Sequence, residues 1–430
     1  MSGEEDGRMV AAMERLIIEG GWPLEGSVEV HGAKNAVLPL LAGTVLSGAA
    51  CVFDGVPQLV DVAVMLEILE QLGARVRREG GTLTIAGDHI DRGEVSEGLM
   101  RRMRSSIFLM GPLLARLGRV VLSYPGGCAI GPRPIDLHLA GLAALGARIR
   151  EGHGYIHAWA DRLAGADIHL DFPSVGATEN LMMAASLAHG TTWIRNAARE
   201  PELVDLANFL NAMGARVQGA GSDCVRVEGV RELGGVRHRP IPDRIEAGTL
   251  LAAAAITGGE VCLHRVRPEH LTAVTAKLRE AGAAVEEAGD GLRLRGPDRP
   301  RATNLRTLPY PGFPTDLQPQ MVALLSLAEG TSLVTENIFE NRFGHVEELR
   351  RMGAQLTTEG RSLTAQGVER LSGARVVATD LRSGAALVLA GLAARGRTVV
   401  EGVDHVDRGY QALEETLARL GARIRRERLG

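Results

Sequence analysis

Six times along this chain a run that is apolar on nearly every face is followed by an amphipathic one. The apolar runs are "AVLPLLAGTVL", "SSIFLMGPLLARL", "ENLMMAASLA", "GTLLAAAAI", "QMVALLSLA" and "GAALVLAGLAA". A helix with no polar stripe belongs inside a core rather than on its surface. After each comes a short strand-like segment such as "GTTWIRN", "GEVCLHRV" or "GRTVVEG", then a helix with one apolar face, for example "DVAVMLEILEQLG" or "GYQALEETLARLG". Each amphipathic run closes on a glycine, at Gly73, Gly146, Gly214, Gly282, Gly353 and Gly421, spaced by 68 to 73 residues. Glycine is the residue that ends a helix by turning left-handed. A hairpin pattern such as "ARVRREGGTLTIAG" follows. The unit reads helix, strand, helix, strand, strand.

Six such units predict an α/β fold of two similar inside-out barrel domains, three units each, with helices buried and sheets outside. The Pro-rich, charged stretch "GVRHRPIPDRIE" separates units three and four. The opening segment "RLIIEGGWPLEGSVEVHG" has no unit of its own and is expected to complete the last domain. The expected division is therefore residues 34–241 for one domain and 14–33 plus 242–430 for the other, after a disordered leader over 1–13. The chain would cross between them near Gly32–Lys34 and near Arg239–Asp243, which makes a hinge beside a cleft.

The repeat also points to a site. Between 37 and 42 residues ahead of each marker glycine stand Lys34, Arg104, Ser174, Arg244, Asp316 and Arg382, at equivalent corners where the apolar helices begin. Helix starts carry unpaired N–H groups and the positive end of the dipole, so they attract anions. Corners aimed at one cleft would hold a multiply anionic ligand. Singly, each has an ordinary reading: Asp316 as a helix cap, Ser174 in "PSVGAT" as a weak phosphate loop, Arg104 in "RRMRSS" as part of a solvated basic run, Arg382 and Arg408 as surface arginines.

Charge and composition narrow the classes. A net charge of −4 gives no broad basic surface for nucleic acid or anionic membrane. No apolar run reaches bilayer length, and the first residues lack a signal peptide's pattern, so the cytoplasm is the expected location. Of 48 basic residues only Lys34 and Lys277 are lysine. Lys277 falls on a solvent-facing helix position; Lys34 sits where a compact ammonium would be useful. Four scattered cysteines exclude a disulfide framework or structural zinc. Cys51, Cys224 and Cys262 lie in strand-like text and read as small buried hydrophobes.

Cys128 is different. It lies in "YPGGCAIGPRPIDLH", where Gly126, Gly127 and Gly131 favour an exposed loop and Pro132 and Pro134 stiffen its far end. Pro134 could serve as the first residue of the following helix. A thiol there is offered to whatever enters.

In unbroken order from about Met13 onward, "GAKN", "MRSS", "PGGCAIGPRPIDLH", "PSVGAT", "NAAREPE", "PDRIEAGT", "FPTDLQPQ", "ENRFGH", "TDLRSGA" and "HVDRGY" resemble the enolpyruvyl transferases. The resemblance implies two three-unit domains, and transfer of enolpyruvyl from phosphoenolpyruvate to the 3-hydroxyl of UDP-N-acetylglucosamine, with release of phosphate, for peptidoglycan precursor synthesis. It makes Cys128 the acid that protonates the enol methylene and a thiol open to alkylation by fosfomycin, and Asp316 the base at the sugar hydroxyl. Lys34, Asn35, Arg133, Arg382 and Arg408 would hold phosphoenolpyruvate, with Lys34 and Arg408 also catalytic. Asn35, Arg104, Arg133, Pro134, Ile135, Asp136, Leu137, Ser174, Val175, Gly176, Asp316 and Ile338 would line the nucleotide-sugar site. It implies no cofactor and no metal. Phe172 departs from members that carry a lysine there. A relative acting on another acceptor, of nucleotide or shikimate type, and a non-catalytic nucleotide-sugar sensor are the alternative readings; the cysteine loop opposes the shikimate type, and the presence of both acid and base opposes the sensor.

Overall fold

A computed structural model describes residues 14–126 and 134–428. Cys128, Arg133 and the leader over 1–13 lie outside the described residues. The apolar runs form the buried helices Lys34–Gly43, Met110–Leu117, Val175–Ala185, Arg244–Thr257, Gln318–Leu325 and Leu381–Ala393. Every residue from Ile245 to Ile256 is buried, as is every one from Arg382 to Leu392. The short strands and hairpins form sheets outside them.

All six marker glycines have positive φ, between 87° and 108°, so each closes its helix in the left-handed conformation open to glycine without strain. At Gly73 a Cβ would also stand 2.3 Å from the His89 carbonyl oxygen.

The sheets hold one strand more than the repeat reading supplies. Among the described residues, five sheets have four strands and one has three. In the third unit Thr191–Arg195 pairs antiparallel with Cys224–Glu228 and parallel with the three-residue Asp167–His169. Equivalent short parallel partners are Arg237–His238, Leu305–Arg306 and Arg375–Val377, and the five-residue Glu25–Glu29 takes the same place in the fourth unit. Strands of two or three residues are too short to show alternation. In the three-stranded sheet a single bridge, Glu94 to Val121, stands in that place.

The opening segment is divided between two sheets. Glu14–Glu19 lies between Arg397–Glu401 and Arg423–Arg428, and Glu25–Glu29 pairs with Glu260–His264. Apolar side chains gather in two cores. One runs from Ala33 to Ile241; the other takes Leu16–Val30 together with Ile245–Leu420. Cys51 is buried as expected, but Cys224 and Cys262 are only half-buried, because each falls on the outward-facing register of its strand.

The two chain passages between the cores run side by side. Gly32 and Pro242 form an antiparallel bridge, with Ala33 N–H donating to Ile241 O and Asp243 N–H to His31 O. Glu246 accepts from the His31 amide at 2.8 Å and meets its ring Nδ1 at 2.7 Å. The hydrogen bond that His31 donates to Glu246 raises the His31 pKa above its ordinary value, against the opposing effect of burial. A raised histidine contributes stability that is complete below about pH 6.5 and disappears as pH climbs through the folded-state value. His31→Asn should therefore flatten the decline in urea stability above about pH 6.5; a variant whose decline matches wild type would remove His31 as its source.

Candidate active site

The six corners fall at helix starts. Lys34, Arg104 and Arg244 are first residues of a helix or 3-10 turn, Asp316 and Arg382 are second residues, and Ser174 is an N-cap. Asp243 joins two of these starts. Its Oδ1 accepts from the amides of Ile245 and Glu246, and its Oδ2 from the amide of Lys34 at 3.0 Å. One carboxylate thus ties the first turns of helices from the two cores.

Beside it, Lys34 and Arg408 converge on Asp61. Lys34 Nζ is 2.8 Å from Asp61 Oδ2, and Arg408 Nε is 2.9 Å from Oδ1. Asp61 is 2% exposed. Burial pushes its carboxyl upward, but the two cations outweigh that and hold it below the usual range. Arg408 ends the short helix Val403–Asp407, on the far core from Asp61.

Asp316 does not cap its helix. Arg342 donates to Oδ1 and Arg382 to Oδ2, each at 2.9 Å. Burial opposes ionisation, yet Arg382 and Arg342 overcome it, with Lys34 adding to their effect, and Asp316 sits well below the ordinary carboxylate range. Arg382 also donates to the Tyr410 hydroxyl at 3.1 Å, which Thr249 and Gln320 hold. The turn carrying Asp316 is fixed by buried Glu336, which accepts from Thr315 Oγ1 and from the amides of Ile338 and Phe339.

A third group gathers at Gly176. A Cβ there would meet the Phe108 ring at 3.1 Å and His138 at 3.3 Å. This packing brings together the segments carrying Arg104, Pro134–Leu137 and Ser174–Gly176. The Ser174 hydroxyl accepts from Ala177 N–H, so its side chain does act as a cap. Asp136 and Pro134 are exposed, Leu137, Val175, Asn35 and Ile338 half-buried, and Ile135 buried. The helix begins at Asp136, so Pro134 precedes it by two residues instead of opening it.

The sequence model of the family EPSP synthase (3-phosphoshikimate 1-carboxyvinyltransferase) matches residues 18–417. The chain belongs to this family. It is 60% identical to UDP-N-acetylglucosamine 1-carboxyvinyltransferase 1 of Symbiobacterium thermophilum, over 97% of this chain and 96% of the relative. It is 53% identical to UDP-N-acetylglucosamine 1-carboxyvinyltransferase of Geobacter metallireducens, over 96% and 99%. Among solved structures, the enolpyruvyl transferase NikO from Streptomyces tendae superposes with a TM-score of 0.88 at 27% identity, covering 97% of this chain and 99% of that one. EPSP synthase from Acinetobacter baumannii shares the fold at a TM-score of 0.74 and 20% identity, over 97% and 100%.

This transferase therefore carries Asp61, Arg342 and Tyr410 beside the corners that the repeat located. Nothing in the sequence around Asp61 marks it as the partner of two cations. Arg342 and Tyr410 lay inside the quoted motifs "ENRFGH" and "HVDRGY", but nothing local aimed them at Asp316 or Arg382. Removing one member of a buried ion pair typically costs about 3–5 kcal/mol. Asp61→Asn should lose stability on that scale, read as a lowered urea midpoint; an unchanged midpoint would mean that Asp61 does not hold Lys34 and Arg408 together in solution.

Proposed function

We propose that this enzyme transfers the enolpyruvyl group of phosphoenolpyruvate to the 3-hydroxyl of UDP-N-acetylglucosamine and releases phosphate, as a step of peptidoglycan precursor synthesis in the cytoplasm. The observation that carries the reading is the gathering of cations on two carboxylates, Lys34 and Arg408 on Asp61 and Arg382 with Arg342 on the partly open Asp316. The close relatives favour this acceptor over the shikimate and other nucleotide types, and the complete set of charged groups favours an enzyme over a silent sensor.

The chemistry follows from the groups available. Protonating the enol methylene creates an oxocarbenium-like carbon, which needs an acid on one side and a base at the attacking hydroxyl. Cys128 takes the acid's role and Asp316 the base's. Lys34, Arg382 and Arg408, with Arg133, hold the phosphate and carboxylate, for which forked guanidiniums are suited. The helix starts at Arg104 and Ser174–Gly176, with Asn35, Pro134–Leu137 and Ile338, receive the nucleotide sugar.

Phosphate release should require both phosphoenolpyruvate and UDP-N-acetylglucosamine; equal turnover with shikimate 3-phosphate or a free nucleotide would redirect the acceptor. Losing a charge-assisted hydrogen bond costs about 1.5–3 kcal/mol. Arg408→Ala should therefore raise the KM for phosphoenolpyruvate roughly ten- to hundredfold while leaving sugar-nucleotide binding little changed. Equal losses for both would displace Arg408 from the phosphoenolpyruvate site. The epoxide phosphonate fosfomycin should alkylate Cys128, faster with the sugar nucleotide bound, and Cys128→Asp should escape labelling while keeping activity. Mass spectrometry placing the adduct on Cys51, Cys224 or Cys262 would overturn the role of Cys128.

A further inference from the structure

Arg408 rides on a short connection, 408–412, that joins the helix Val403–Asp407 to the helix Leu413–Arg419. This connection reaches the other core twice, through Arg408 on Asp61 and through Gln411 Oε1, which accepts from the Gln58 amide at 2.7 Å. Little in it is stable by itself. A five-residue helix is too short to persist without outside support. Ala412 stands at a φ of 44°, a left-handed conformation that strains a residue bearing a Cβ.

Both ends of the connection are held by Arg426, on the strand Arg423–Arg428. A guanidinium has five N–H groups, and here three carboxylates take all of them. Nη1 and Nη2 donate to the two oxygens of Asp407 at 2.8 and 2.7 Å. Nε and Nη2 donate to Glu414 at 2.6 and 3.1 Å, and Nη1 to Glu14 at 2.7 Å. Asp407 ends the helix before the connection, and Glu414 lies in the first turn of the helix after it. A carboxylate at a helix C-terminus carries the charge that this end disfavours, so Asp407 needs a cation there. The pairs are largely withdrawn from water, at side-chain exposures of 22% for Arg426, 26% for Asp407 and 11% for Glu414. In such a setting a forked guanidinium fixes geometry as well as charge. Among the described residues, Arg426 makes no hydrogen bond to Arg408, Asp61 or Asp316.

We propose that Arg426 is a positioning residue for Arg408: it staples Asp407 to Glu414 and so fixes the connection between them. The inference rests on the reading of Arg408 as a contact to phosphoenolpyruvate. A guanidinium that receives an anion must be placed to within about half an ångström. Arg408 follows Asp407 directly, so whatever loosens Asp407 loosens Arg408. Glu14, on the neighbouring strand Glu14–Glu19, binds the same guanidinium, so the first and last strands of this core carry the staple together.

The test measures the KM for phosphoenolpyruvate and the binding of UDP-N-acetylglucosamine in Arg426→Met, Arg426→Lys and Asp407→Asn, each alone and beside Arg408→Ala. Arg426→Met should raise that KM about three- to tenfold, with sugar-nucleotide binding little changed. Asp407→Asn removes one arm of the staple, should fold even where Arg426→Met does not, and should raise the KM in the same direction. Arg426→Lys keeps the charge but cannot span both helices, so its KM should rise as well. Beside Arg408→Ala, each variant should add less than about twofold, because its effect passes through a side chain already removed. A wild-type KM in Asp407→Asn or in Arg426→Lys would overturn the staple. So would increments that persist in full beside Arg408→Ala. Arg408→Ala alone separates the two levels: equal losses for both substrates sink the reading of Arg408 itself, whereas a selective loss beside unmoved Arg426 and Asp407 variants sinks the staple alone.

Discussion

Helices buried on every face must still begin somewhere, and their first amides have no partner within the helix. That constraint organises this protein. Six apolar helices start at equivalent corners, and the side chains that meet those starts are the ones with chemistry available to them. Asp380 and Ser174 satisfy the amides of their own helices. Asp243 serves its own helix and also the first amide of the Lys34 helix, so a capping requirement becomes a link between the two cores.

Cations stand at or beside these same positive ends, which disfavour them, so each needs a carboxylate to balance it. Asp61 balances Lys34 and Arg408; Asp316 balances Arg382 and Arg342. Ion pairs this buried gain little stability over apolar packing, because desolvation offsets most of their attraction. Their value here lies in arrangement: Asp61 holds Lys34 of its own core to Arg408 of the other, and Asp316 gathers Arg342 and Arg382 within one core. The short contacts across the passages, through His31 and Glu246, hold the frame on which that arrangement stands.

The unit, its six copies, the buried character of the first helix and the glycine that ends the second were legible in the sequence because they depend on periods of a few residues. So were the corners, since equivalent positions in a repeat occupy equivalent places. The two- and three-residue parallel strands were not, because they acquire their conformation only from the neighbour they pair with. Half-burial of Cys224 and Cys262 depended on register, which composition does not reveal.

Tertiary structure alone decided which charges meet. Arg408 and Asp61 stand 347 positions apart, and Arg382 and Asp316 stand 66 apart. No local pattern carries information about such pairs; they form because repeats are packed against each other. The sequence by itself determined the helices, their ends and the residues at their corners, through hydrophobic periodicity and glycine. The grip of two arginines on Asp316, and the placing of Asp61 between two cations, came only from packing, where desolvation forces every buried charge to find an opposite one.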